Sequence, residues 1–160
     1  SESGDALLEE EAVMSYVRDL IPMSTLVTPN ILEAEKIANI NISSEQHIEK
    51  AGKKIIDLGA KNVLIKGGHF KGDFSVDFLF TRGAELIKLK KNRVNTQNTH
   101  GTGCSLSAAI TAYISKGESL EFSIRKSKEF LTNALKNSYS VGEGPGPVNH
   151  FYNYKNQNEL

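Results

Sequence analysis

Between Leu7 and Leu20, apolar residues recur at helical spacing. Leu8, Ala12, Val13, Tyr16, Val17 and Leu20 fall on one side, so the stretch predicts an amphipathic helix that Pro22 ends. Thr25–Thr28 is a short apolar strand, followed by Pro29-Asn30, and Ile31–Ala38 returns to a helical pattern. A further helix is expected from about Ser44 to Leu58. Ser43 and Gln46 stand at capping-box spacing before it, and Gly59 is a natural stop after it. Asn62–Lys66 is almost continuously apolar, the pattern of a strand inside a parallel sheet. Val76–Phe80 and Glu85–Leu89 read as a hairpin around Thr81-Arg82-Gly83-Ala84. Two last helices are expected over Thr102–Ser115 and Leu120–Asn137. The segment from Val141 to Val148, broken by glycines and prolines, must wrap as a loop, and the Asn/Gln-rich end is expected to fray.

The order α-β-α-α-β-ββ-α-α predicts an α/β fold, with a mostly parallel sheet flanked by helices and an antiparallel β-hairpin appended. Such sheets bind ligands beyond the carboxyl ends of their strands. Three polar or glycine-rich clusters are expected at those ends: Thr28-Pro29-Asn30, Lys66-Gly67-Gly68-His69 and Asn98 to Cys104. Their convergence on one edge favours an anion-binding site over three unrelated turns.

Asn98-Thr99-His100-Gly101-Thr102-Gly103-Cys104 is the richest of the three. Its glycines allow a sharp turn. The first-turn N–H groups of the helix that follows then face an anion with the helix dipole behind them. Gly101, Thr102, Gly103 and Cys104 can therefore cradle a phosphoryl group, with Cys104 on the rim. The same residues also fit a plain strand-to-helix turn ending in a small buried cysteine. A helix N-terminus favours a thiolate, so Cys104 is a candidate base, although an incoming phosphate would repel that charge. Asn30 and Glu33 read either as an N-cap with a first-turn acid or as oxygen donors for Mg²⁺. Glu35 is expected on the outer helix face. Lys66, at a strand end, reads as a phosphate contact or as a solvated lysine.

Charge and composition narrow the classes. The chain has 160 residues, about one domain, with 39% hydrophobic and 24% charged residues. Nineteen basic residues balance nineteen acidic ones, so neither nucleic acid nor a membrane is expected as a partner. No apolar run has transmembrane length, no signal peptide is read, and one cysteine excludes an internal disulfide, so a cytoplasmic setting is expected. His47, His69, His100 and His150 lack close metal-ligand spacing; His47 is expected on an exposed helix face, and His69 and His100 sit in the candidate loops. Neither a Gly-x-Ser-x-Gly elbow nor a Walker A sequence is present.

Four motifs occur in order: Thr28-Pro29-Asn30-x-x-Glu33-Ala34-Glu35, Lys66-Gly67-Gly68-His69, Asn98 through Cys104, and Gly144-Pro145-Gly146-Pro147-Val148-Asn149-His150. Together they resemble the ribokinase-like superfamily, and within it the hydroxymethylpyrimidine/phosphomethylpyrimidine kinases of thiamine biosynthesis. The resemblance implies transfer of the γ-phosphate of MgATP to a hydroxymethylpyrimidine and then to its monophosphate. It gives Cys104 the role of base, where most of the superfamily has Asp. It also implies Mg²⁺ and phosphate binding by Asn30 and Glu33, and nucleotide contacts by Lys66, Thr99, His100 and Lys128. Spacing alone would make Lys128 a solvated helix lysine. ATP, Mg²⁺ and a small pyrimidine are the implied ligands, and the full-length protein is expected to be a homodimer. Family members carry a further N-terminal half with most of the pyrimidine pocket. The chain is therefore expected to be the C-terminal, nucleotide-binding portion of a single ribokinase-like domain, truncated at its N-terminus. A pyridoxal kinase of the same superfamily and a non-catalytic ATP- or phosphate-binding fragment are the competing readings.

Overall fold

The computed structural model describes residues 9–67 and 72–154. Leu7 and Leu8 of the first predicted helix, Gly68-His69 of the second motif, Lys71 and the last six residues lie outside them. The described chain divides into two compact units, one ending at Asn92 and one starting at Arg93.

In the first unit, α1 (Glu10–Ser15) runs into a single π-helical stretch, Tyr16–Leu20. The predicted apolar stripe is only partly used: Tyr16 and Val17 pack against the core, whereas Ala12 and Leu20 are exposed. Helices α2 (Ile31–Ala38) and α3 (Glu45–Asp57) cover β1 (Asn62–Lys66), which pairs with β2 (Phe74–Thr81) and through it with β3 (Ile87–Asn92). The core joins Ala34, Ile48, Ala51 and Ile55 of the helices to Val63, Ile65 and Phe78 of the sheet. Helix α3 starts one residue later than the capping-box spacing suggested. Ser44, not Ser43, is the N-cap and accepts the His47 N–H at 3.3 Å. Ser43 contacts His47 Nδ1 instead, at 3.1 Å, and His47 is half-buried rather than exposed. At the other end Gly59 takes a φ of 112°, as a helix stop requires.

Both ladders of the sheet are antiparallel, which corrects the expectation of a mostly parallel one. The physical reason is the short link 67–73 between β1 and β2, since a parallel connection needs a crossover of a dozen or more residues. Parallel pairing survives on the other side of β1, where Val27 bridges Val63 and Asn30 bridges Lys66. Val27 N–H donates to Asn62 O at 3.0 Å, Leu64 N–H to Val27 O at 2.8 Å and Lys66 N–H to Pro29 O at 2.9 Å. That bridge is where the predicted strand Thr25–Thr28 lies. The hairpin forms as expected but is longer, because β2 and β3 pair from Phe74↔Asn92 to Leu79↔Ile87.

The second unit holds α4 (Thr102–Ser115) and α5 (Leu120–Lys136), which pack against each other. Leu106 and Ile110, one turn apart on α4, are buried. The 141–148 segment forms no helix or strand but bridges the approach to α4, pairing Pro147 with His100. Among the described residues, no helix is long and apolar enough to cross a membrane.

Candidate functional site

In the first unit, the end of β1 and the start of α2 meet through the Asn30–Lys66 bridge. Asn30 is extended, and its Oδ1 accepts the Glu33 N–H at 2.9 Å. Glu33 Oε2 accepts the Asn30 N–H in return at 2.7 Å, which completes a capping box. Asn30 is buried and Glu33 half-buried. The capping reading of this pair is thus realised. It uses one carboxylate oxygen of Glu33, and the pair offers oxygen donors only. Among the described residues no group of three or more His, Cys, Asp or Glu side chains could hold a metal. A site of this kind fits Mg²⁺, which keeps several waters and substrate oxygens beside one or two protein ligands. Tyr16 faces this corner. Burial, and then the negative charge of Glu33, raise its hydroxyl above the ordinary tyrosine range. Glu35 departs from its expected outer position: it is half-buried and accepts the Ile42 N–H at 2.6 Å, holding the α2–α3 link.

Lys66 is half-buried at the end of β1, and its cross-strand partner is Asp77. Asp77 is 4% exposed, and its Oδ1 accepts the Gly67 N–H at 3.1 Å. Gly67 lies so close to the Val76 carbonyl oxygen that any Cβ would collide with it. An open pocket of about 400 Å³ adjoins this corner, lined by Ser44, Gly67, Asp73, Phe74, Val76 and Phe78. The sequence reading missed Asp77, although an acid inside the apolar run Phe74–Thr81 was its signal.

In the second unit, the turn before α4 has the expected form. Gly101 is the N-cap in the left-handed region, with φ 86° and ψ 2°, and no side chain caps the helix. Thr102 N–H donates to Thr99 O at 3.2 Å and Ser105 N–H to Gly101 O at 2.9 Å. Between them, the Gly103 and Cys104 amides find no backbone acceptor outside the helix among the described residues. Cys104 is exposed, which removes the reading of it as a small buried hydrophobe. His100 is exposed in its side chain, while its backbone holds the tail: its N–H donates to Gly146 O at 3.2 Å and its carbonyl accepts the Val148 N–H at 3.4 Å. Asn98 Oδ1 accepts the Gly146 N–H at 3.1 Å, so two of the four sequence motifs are hydrogen-bonded to each other.

Lys128 is not the solvated lysine that spacing suggested, being only 6% exposed. Ile124 lies one helical turn before it, and Ser123 and Ser127 share the same buried face. The small serines carried this signal, because they mark a face closely covered by its surroundings.

The chain matches the phosphomethylpyrimidine kinase family over residues 1–149. The hydroxymethylpyrimidine/phosphomethylpyrimidine kinase of Helicobacter pylori is 42% identical over 152 residues, which are 93% of this chain and 56% of that protein. Its namesake from Staphylococcus aureus strain MRSA252 is 40% identical over 94% of this chain and 55% of its own length. Among solved structures, the ADP complex of Bacillus subtilis pyridoxal kinase matches with a TM-score of 0.87 at 33% identity, over 93% of this chain and 58% of that one. Phosphomethylpyrimidine kinase from Clostridium difficile 630 matches with a TM-score of 0.70 at 37% identity, over 85% and 54%. The chain spans about half the length of the curated relatives it matches. These likenesses and the architecture define a ribokinase-like α/β protein. Within that class, the chain belongs to the phosphomethylpyrimidine kinase family.

Proposed function

We propose that the chain is the nucleotide-binding part of an ATP-dependent kinase of thiamine biosynthesis. Its acceptors are 4-amino-5-hydroxymethyl-2-methylpyrimidine and the monophosphate of that alcohol. The observation that carries this reading is the uncapped turn at Gly101, which leaves an exposed Cys104 at the rim of the amide cradle in a member of this family.

Phosphoryl transfer needs little covalent help from a protein; it needs positioning and charge stabilisation. The amides of Gly103 and Cys104 donate to the oxygens of the moving phosphoryl group, with Thr102 completing the first turn. Cys104 Sγ is the base that accepts the proton of the acceptor hydroxyl as that oxygen bonds to the γ-phosphorus. The bond from the γ-phosphorus to its bridging oxygen breaks, and ADP leaves. Thr99 and His100 lead the backbone into the turn, and membership of the family supports nucleotide contacts for them and for Lys128. In the first unit, the Lys66 ammonium contacts nucleotide phosphates. Asn30 and Glu33 would hold Mg²⁺, which would supply neutralisation of phosphate charge. Relatives of known structure support nucleotide binding, since the Staphylococcus aureus pyridoxal kinase was crystallised with AMP-PCP and pyridoxal. A cytoplasmic homodimer of the intact protein belongs to the same proposal.

The test is Cys104→Ala in the intact gene product. Pyrimidine phosphorylation is expected to collapse while ATP binding, followed by calorimetry, persists. Unchanged turnover would remove Cys104 from the chemistry. A second reading, pyridoxal phosphorylation, draws on the higher TM-score of the Bacillus subtilis pyridoxal kinase. Assaying both acceptors side by side separates the two by their kcat/KM ratio.

A further inference from the structure

Ser105 and His150, 45 positions apart, meet at 2.6 Å between Oγ and Nε2. The same Ser105 Oγ donates its hydrogen to the Gly101 carbonyl at 2.7 Å. A hydroxyl has one hydrogen to give, so in this arrangement the Nε2–H of His150 is the donor and Ser105 Oγ the acceptor. The result is a relay of two hydrogen bonds from His150 through Ser105 to Gly101, the residue whose left-handed backbone starts the amide turn.

His150 reaches Ser105 because the tail before it is pinned on both sides. Gly146 and Val148 bond to the His100 backbone. Asn149 donates its backbone N–H to Ala134 O at 3.1 Å and its side-chain N–H to Asn137 O, also at 3.1 Å. The Asn149 Oδ1 accepts the Phe151 N–H at 3.1 Å, which fixes the chain on the far side of His150. The imidazole is therefore delivered to Ser105 by a hydrogen-bonded frame while it remains exposed.

We infer that His150 is a positioning residue for the Gly101–Cys104 turn and acts through the Ser105 hydroxyl. The Gly101 carbonyl already accepts the Ser105 N–H at 2.9 Å. With the hydroxyl as a second donor, its orientation is set, and so is the direction of the amides that follow. The inference rests on the proposed phosphoryl cradle, because the turn matters to turnover only if a phosphoryl group sits there.

The experiment compares wild type, His150→Ala, Ser105→Ala and the double variant of the intact gene product. Each single variant is expected to lower kcat by roughly 10- to 100-fold, the scale of a slightly misplaced reacting geometry, with KM for ATP changed far less. The double variant is expected to match the worse single one, since both substitutions cut the same relay. Multiplying effects, or an unchanged kcat in His150→Ala, would overturn the inference. Alkylation of Cys104, followed by mass spectrometry, reads the turn without any turnover. The two single variants are expected to change its rate equally, and a rate unchanged in both overturns the inference. If wild type shows no kinase activity, the functional reading fails on its own, and the alkylation rates still decide whether the relay orders the turn.

Discussion

Gly146 donates its backbone N–H to the side-chain carbonyl of Asn98 at 3.1 Å, 48 positions away. Asn98 is 7% exposed and also donates to Ser138 Oγ at 3.4 Å. A Cβ at residue 146 would fall onto the Asn98 Oδ1 and 2.8 Å from the Tyr139 carbonyl oxygen. Asn98→Ala is expected to cost about 1–3 kcal/mol, because it leaves a buried donor without its acceptor. Gly146→Ala should cost at least as much. Urea unfolding of both variants checks the prediction, and wild-type midpoints would refute it.

The Asn30–Glu33 capping box separates stability from chemistry. Asn30→Ala removes the cap and is expected to cost about 1 kcal/mol in unfolding experiments. Glu33→Gln keeps an oxygen that can accept the Asn30 N–H but removes the charge. Its stability should stay near wild type while turnover requires more Mg²⁺. A Mg²⁺ titration of activity in the intact protein reads the difference, and an unshifted curve would take Glu33 out of metal binding.

Gly67 admits no side chain, since the obstacle is the Val76 backbone rather than a flexible group. Gly67→Ala is expected to destabilise by about 3 kcal/mol and to loosen the β1–β2 pairing. Hydrogen exchange at the Val63 and Ile65 amides, which alternate with those turned to Val27 and Pro29 and so face β2, is a local readout, and it should speed up in this variant more than in a surface control.

The raised Tyr16 hydroxyl carries a pH signature. A group whose acid form is favoured in the folded state contributes fully below its ordinary value, and that contribution is lost as pH rises beyond it. For tyrosine the window opens near pH ~10. Wild type should therefore lose stability above that pH more steeply than Tyr16→Phe, as thermal melts across an alkaline series would show. Glu33→Gln should bring tyrosinate absorbance at Tyr16 on at lower pH, because it removes the second cause of the shift.

Local pattern made much of this molecule legible. The boundaries of α2, β1 and α4 follow from periodicity and from Asn30, Gly59 and Gly101 as punctuation. What the pattern hid is long-range. Asn62–Lys66 is equally apolar whether its neighbours run parallel or antiparallel, so sheet direction was decided by the brevity of the link to Phe74. The fate of Lys128 depended on what covers α5, which one helix cannot reveal. Asn98 and His150 stood in separate motifs and Ser105 in neither, and only the fold, by closing the tail onto the turn, brings them together. Motif resemblance pointed to Asn98 and His150, and the structure supplies a hydrogen-bonding reason for each.

The glycines of this chain are not interchangeable. A Cβ at Gly101 would meet only Ser105 Oγ, at 4.0 Å, so what that position demands is backbone handedness and not room. A side chain at residue 101 would be strained by the backbone it must adopt, with asparagine the least so, whereas residue 67 excludes every branched or unbranched alternative alike. Position 101 is thus limited by backbone conformation and position 67 by the atoms around it.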